Sequence, residues 1–205
     1  MLAIVESYSK NLKGTGYQMA KKATQSKNPY RIYYTYGAVA LGVIVLAVLL
    51  FLALQEPAPI EGLVQSTGLS RGHNANLVIE FGELPPTGGE HNPVWQNCGI
   101  YDTPVEAQYA LHSMEHGAVW ITYKPELATD ELSALRDKAA GNAFVLMTPY
   151  PGQRSPIVLT AWGVQVEIES ADDDRIERFI DLYQVGPQTP ERGASCTDGI
   201  GTPIG

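Results

Sequence analysis

The chain opens polar and basic, then runs uncharged from residue 37 to residue 54 as GAVALGVIVLAVLLFLAL. As a helix rising about 1.5 Å per residue, this run spans roughly 27 Å, close to the hydrocarbon thickness of a bilayer. Lipid offers no partners to backbone N–H and C=O groups, so only a helix is tolerable there. QEPAPIE (residues 55–61) reads as a Pro-containing linker, after which the pattern turns globular. Residues 76–82, NLVIEFG, alternate as a strand, and LPPTGGEHNP behind them is dense in turn formers. Residues 104–115 have short-lived helical character, and GAVWITY (residues 117–123) reads as a buried strand because its side chains suit a pleated surface.

A clear helix opens at Thr129, a good N-cap, with Asp130 and Glu131 in the first turn and Leu132, Leu135 and Ala139 on one face. Gly141-Asn142 ends it. Strand-like runs follow at residues 143–148 and 157–162, joined by PYPGQRSP, and residues 164–168 alternate again. Residues 172–183 form a second amphipathic helix with Ile176, Phe179, Ile180 and Tyr183 inward; the acids at its start, Asp172, Asp173 and Asp174, suit the helix macrodipole better than a calcium ion. The closing GPQTPERGASCTDGIGTPIG can bury little, and its order is expected to depend on Cys196. This succession predicts an α+β fold: a mainly antiparallel sheet with two packed helices, preceded by one N-terminal transmembrane helix.

Charge sharpens the division. Residues 1–36 carry Lys10, Lys13, Lys21, Lys22, Lys27 and Arg31 against Glu6, a net +5, while the remainder carries 8 Lys/Arg against 21 Asp/Glu, a net −13. The basic side of an anchor stays in the cytoplasm, and Tyr30, Tyr33, Tyr34 and Tyr36 suit the headgroup interface. A cleaved signal fits less well, because signal cores are shorter and LALQEP is a poor cleavage site. The expected organisation is a cytoplasmic basic segment (1–36), a single-pass anchor (37–54), a linker (55–61) and an extracytoplasmic domain (62–205), periplasmic or extracellular. Within residues 1–29, Lys21 and Lys22 mark a stretch that either hugs anionic lipid, docks on a neighbouring subunit, or is a solvated tail. A domain of net −13 would repel phosphate backbones, so nucleic acid is not an expected partner.

Cys98 and Cys196 both follow the anchor, which places them on the oxidising side and makes a disulfide the expected state, with two reduced thiols as the alternative. All four histidines, His73, His91, His112 and His116, lie in the same region. His112 and His116 in HSMEHG are spaced i, i+4, which puts both imidazoles on one helix face where they can share an ion. Several imidazoles suit Cu(II) or Zn(II), whereas the thioether of Met114 would favour Cu(I). The alternative is that the histidines hydrogen-bond buried backbone and Met114 packs. HSMEHG is not HExxH, Ser113 does not face His112, and no GxSxG, GxGxxG or P-loop is present, so catalysis is not the leading expectation.

Taken together, PPTGGEHNPVWQNCGIY (residues 85–101), HSMEHGAVWITY (112–123), TPYPGQRSPIVLTAWG (148–163) and GPQTPERGASC (186–196) resemble a bacterial family of often membrane-anchored proteins, the domain-of-unknown-function family 3105. The similarity covers residues 73–196, with four separated motifs in order. Carried over by position, His91, Cys98, His112, Glu115, His116 and Cys196 match, and His73 fits a histidine that often starts the family's region. Met114 stands where the family usually has Leu, which speaks against a thioether ligand, and Glu90 replaces a usual Pro beside His91. The resemblance supports the Cys98–Cys196 pairing and a histidine cluster, but it supplies no reaction. Two expectations result. One is a membrane-tethered domain binding copper or zinc through His91, His112 and His116, with His73 as a fourth ligand and Glu115 orienting a ring from behind. The other is a non-catalytic accessory or assembly subunit of a larger respiratory or photosynthetic membrane complex.

Overall fold

The computed structural model describes residues 28–55 and 58–204, so most of the basic segment, including Lys21 and Lys22, lies outside the described residues. The chain divides into two units, Met1–Pro57 and Ala58–Gly205. In the first, α1 (Arg31–Ala53) runs for 23 residues, about 34 Å at the usual rise. It starts ahead of the uncharged run because nothing in RIYYTY breaks a helix, and all its side chains are exposed. Length and composition suffice to cross a membrane, as an anchor or as a signal sequence.

The second unit is built on a six-stranded sheet. Its strands are β1 (Val64–Gln65), β2 (Gly99–Ile100), β3 (Val119–Tyr123), β4 (Val145–Pro149), β5 (Ile157–Ala161) and β6 (Val164–Ile168), in the order β1-β6-β5-β3-β4-β2. The pairs β1/β6, β6/β5 and β5/β3 are antiparallel, with β5 and β6 joined through Trp162-Gly163. The pairs β3/β4 and β4/β2 are parallel. Parallel neighbours need a long crossover, and α3 (Thr129–Ala139) supplies it between β3 and β4. Two further helices, α2 (Ala107–His116) and α4 (Arg175–Tyr183), complete the unit.

β3, β4 and β5 are buried at every position, the mark of a sheet covered on both faces. Val119, Ile121 and Tyr123, with Val145, Met147, Ile157 and Leu159, meet Leu135 and Ala139 of α3 and Ile176, Phe179 and Ile180 of α4. The intervening Trp120 and Leu146 point the other way and meet Ala107, Ala110, Leu111 and Met114 of α2, a spacing of i, i+3, i+4, i+7 that forms one helical stripe. Three helices therefore pack on the sheet where the sequence predicts two. The third was hard to read because its opposite face, bearing Gln108, His112, Glu115 and His116, is also buried.

Two local expectations are corrected. Residues 76–82 belong to no strand, with Asn76 in a turn, although Leu77 and Ile79 lean inward and Val78 and Glu80 outward. Their backbone finds side chains instead of a ladder: Ile79 N–H donates to Gln108 Oε1 at 3.2 Å and Gly82 N–H to the Tyr150 hydroxyl at 3.2 Å. Thr129 is the first helical residue of α3, with Ala128 in the cap position and no side-chain cap. The charge pattern of that first turn still matters, since Glu131 accepts the Ala171 N–H at 2.5 Å and ties α3 to the start of α4's segment.

Candidate metal centre

α2 is buried along nearly its whole length, so each polar side chain on the face turned from the sheet needs a partner. The loop of residues 85–97 provides several. Asn92 N–H donates to the Gln108 carbonyl at 3.1 Å and Gln96 N–H to the Tyr109 carbonyl at 3.2 Å, while the Ser113 hydroxyl returns a hydrogen bond to Gln96 O at 2.6 Å. Asn92 locks its own turn by accepting the Val94 N–H on Oδ1 at 2.9 Å. The segment around His73 is laid against His91: Asn74 N–H donates to His91 O at 2.8 Å and His91 N–H to Gly72 O at 3.0 Å.

The tail closes the other side. Glu191 N–H donates to the Glu115 carbonyl at 2.9 Å and Gly193 N–H to the His116 carbonyl at 2.9 Å, satisfying two of the carbonyls that a helix end leaves without intrahelical partners. Gly117, at φ 121°, lets this approach happen, since a Cβ there would lie 3.0 Å from Val185 Cα. The bond between Cys98 and Cys196 (Cα–Cα 5.3 Å) and the Cys98 N–H to Cys196 O hydrogen bond at 2.8 Å pin the tail beside the loop. The tail is thus held by backbone pairing as well as by Cys196.

These elements bring the histidines together. His73, His91, His112 and Glu115 each offer a ligand atom, all within 4.8 Å of one another, and His112, His116 and Glu191 form a second such group. Ring centroids lie 4.6 Å apart for His73–His91, 5.0 Å for His91–His112 and 4.6 Å for His112–His116. His116 therefore does not join His91 and His73 directly, and Glu115 sits among the donor atoms rather than behind a ring. Glu191 was not singled out from the sequence, although it lies in the GPQTPERGASC motif. Met114 is fully buried in the sheet-facing core and packs there.

Hydrogen bonds fix how the rings present their nitrogens. His91 Nδ1 meets Gly89 O at 2.8 Å, His112 Nδ1 meets Asn92 O at 2.7 Å, and His116 Nδ1 meets Ser195 O at 2.5 Å. A carbonyl oxygen only accepts, so each Nδ1 carries the proton, and in the neutral ring Nε2 is left with its lone pair. His91 Nε2 then faces Glu115 Oε2 at 2.9 Å, with His73 Nε2 3.5 Å from the same oxygen. On side chains that are 0% and 1% exposed, the His91–Glu115 contact needs either a hydrogen or a metal ion between nitrogen and oxygen.

Burial is the largest cause lowering the His112 pKa to about 4; the Asn92 carbonyl works the other way, and the neighbouring His116, His91 and His73 lower it further. Between pH 6.5 and about 4 the unfolded chain takes up this proton while the metal-free fold refuses it. Stability is therefore full above pH 6.5 and is lost as pH falls towards 4, by roughly 2–3 kcal/mol for one such proton. Urea unfolding of the metal-free protein at pH 7 and pH 4.5 checks this: His112→Gln should flatten the dependence, and an unchanged slope would contradict it.

Fold and site together define an α+β domain with a largely buried histidine–carboxylate cluster, preceded in the chain by an apolar helix. The chain belongs to the family of proteins of unknown function DUF3105, whose family model matches residues 73–198. The match begins at His73 and ends just past Cys196, and so takes in both ligand groups and the disulfide. Neither among curated proteins nor among solved structures does anything match the chain.

Proposed function

We propose that this protein is a membrane-anchored binder of a divalent transition-metal ion, held by His73, His91, His112 and Glu115. The observation that carries the reading is the convergence of donor atoms: His73, His91, His112 and Glu115 each bring a ligand atom within 4.8 Å of the others, with backbone carbonyls holding Nδ1 of His91 and His112 and His91 Nε2 facing the Glu115 carboxylate. Metal-binding histidines are commonly fixed in this way by a carbonyl or carboxylate on the remaining nitrogen. Three imidazoles and one carboxylate suit Zn(II) or Cu(II), and a core-packed Met114 gives no reason to favour Cu(I). Burial of His91, His112 and Glu115 limits competing water while the exposed His73 leaves one side open, so the site suits holding or delivering a metal. The basic N-terminal side of α1 puts the domain outside the cytoplasm in this reading.

The test is elemental analysis of the full chain, extracted in detergent and purified without a histidine tag. About one equivalent of zinc or copper is expected, and stripping the metal should lower stability by about 3–4 kcal/mol at a ligand concentration 100–1,000 times Kd. A stripped protein whose Tm does not respond to added Zn(II) or Cu(II) would overturn the reading.

A further inference from the structure

The two ligand groups share one residue. His112 Nδ1 is committed to Asn92 O at 2.7 Å, so this imidazole has a single lone pair, on Nε2, and can hold one ion at a time. The groups also differ in what they expose. Each has one exposed member: in the inner group, beside His91 and Glu115 at 0% and 1%, it is the imidazole of His73 at 38%, whereas in the outer group, beside His116 at 5%, it is the carboxylate of Glu191 at 51%. His116 Nε2 lies 3.5 Å from Glu191 Oε2 and is held in place by Ser195 O on Nδ1. The Trp95 ring packs against both imidazoles that the outer group contains, 5.0 Å from His116 and 5.7 Å from His112 between centroids.

We propose that the outer group is a loading station for a divalent metal ion, which His112 passes to the inner group. A hydrated ion first exchanges water for Glu191 and His116, with the exposed carboxylate supplying the attraction. His112 Nε2 then binds, and its bond is kept while Glu191 and His116 are exchanged for His91, Glu115 and His73. The ion is never stripped of all its ligands at once, which avoids the large cost of desolvating a bare charge. The charge balance holds throughout, because each station contributes one carboxylate. This inference rests on the metal-binding reading of the inner group.

Zn(II) is the probe, added to the metal-stripped full chain in competition with a chromophoric chelator. Wild type should take up about one equivalent. Glu191→Ala, an exposed change, should leave affinity within about threefold while slowing uptake about tenfold or more, a rate effect of lost electrostatic attraction. His91→Ala with Glu115→Gln should still bind at the outer group, about 10–100-fold more weakly, and adding Glu191→Ala should remove that residual binding. A Glu191→Ala uptake rate equal to wild type, residual binding indifferent to Glu191, or two ions bound at once to the wild type would each overturn the relay. Wild type taking up no Zn(II) would instead overturn the metal-binding reading beneath it. Thermal melts of each variant separate these results from misfolding.

Discussion

Replacing Cys98 and Cys196 together by serine is expected to lower the unfolding free energy by about 2–5 kcal/mol. The bond spans a sequence separation of 98, for which the chain-entropy model gives about 4.7 kcal/mol before any native-state strain. Its structural role is local as well. Ser195, whose carbonyl orients His116, is the neighbour of Cys196, and Glu191 and Gly193 of the same tail satisfy carbonyls at the end of α2. Metal uptake through His116 and Glu191 should therefore slow, while affinity, set by His73, His91, His112 and Glu115, should stay within about threefold. Denaturant titration and a Zn(II) competition assay measure the two effects; an unchanged midpoint would show that backbone pairing alone holds the tail. The same bond reports topology. With the domain outside the cytoplasm, a thiol reagent added to unreduced membranes should label neither cysteine, and stoichiometric labelling in intact membranes would place the domain on the reducing side.

His112→Ala is expected to be the most damaging single change at the site, lowering zinc affinity by about 100-fold or more, close to 3 kcal/mol. It removes a donor from both ligand groups at once. His73→Ala should cost about tenfold, because His73 is 38% exposed and its Nε2 stands 3.5 Å from Glu115. Equal losses for the two variants would contradict the shared role of His112. His112→Gln, which keeps a polar group near Asn92 O, separates ligand loss from damage to the loop.

The elements that could be read in the sequence are those whose pattern and partners are both local. β3 to β5 carry buried, largely apolar runs, β6 alternates, and α3 and α4 show one apolar stripe each, with Leu135 and Ala139 or Ile176, Phe179 and Ile180 inward. Residues 76–82 show the alternation of a strand without being one, because alternation reports only which side is buried. The hydrogen-bond partners, Gln108 and Tyr150, come from distant parts of the chain. β1 and β2 are two residues long and leave no period to detect. α2 was read only in part, since loops bury the face that should have been polar and exposed.

The site divides in the same way. The i, i+4 spacing of His112 and His116 is local and was legible. The nearness of His73 to His91 depends on a backbone bridge between loops, and Glu191 reaches His116 only because the tail folds back on α2. Glu115, one residue before His116, turns towards His91 because i, i+3 from His112 lies on the same helix face. Sequence patterns gave the residue types for a metal centre; the tertiary folding of loop and tail decides which of them meet.

X-ray absorption at the zinc edge on the metal-loaded full chain tests the central claim most directly. The expected first shell is nitrogen and oxygen at about 2.0–2.2 Å with the outer-shell scattering of several imidazoles. A shell of oxygen alone, without imidazole scattering, would contradict a metal centre built from these histidines.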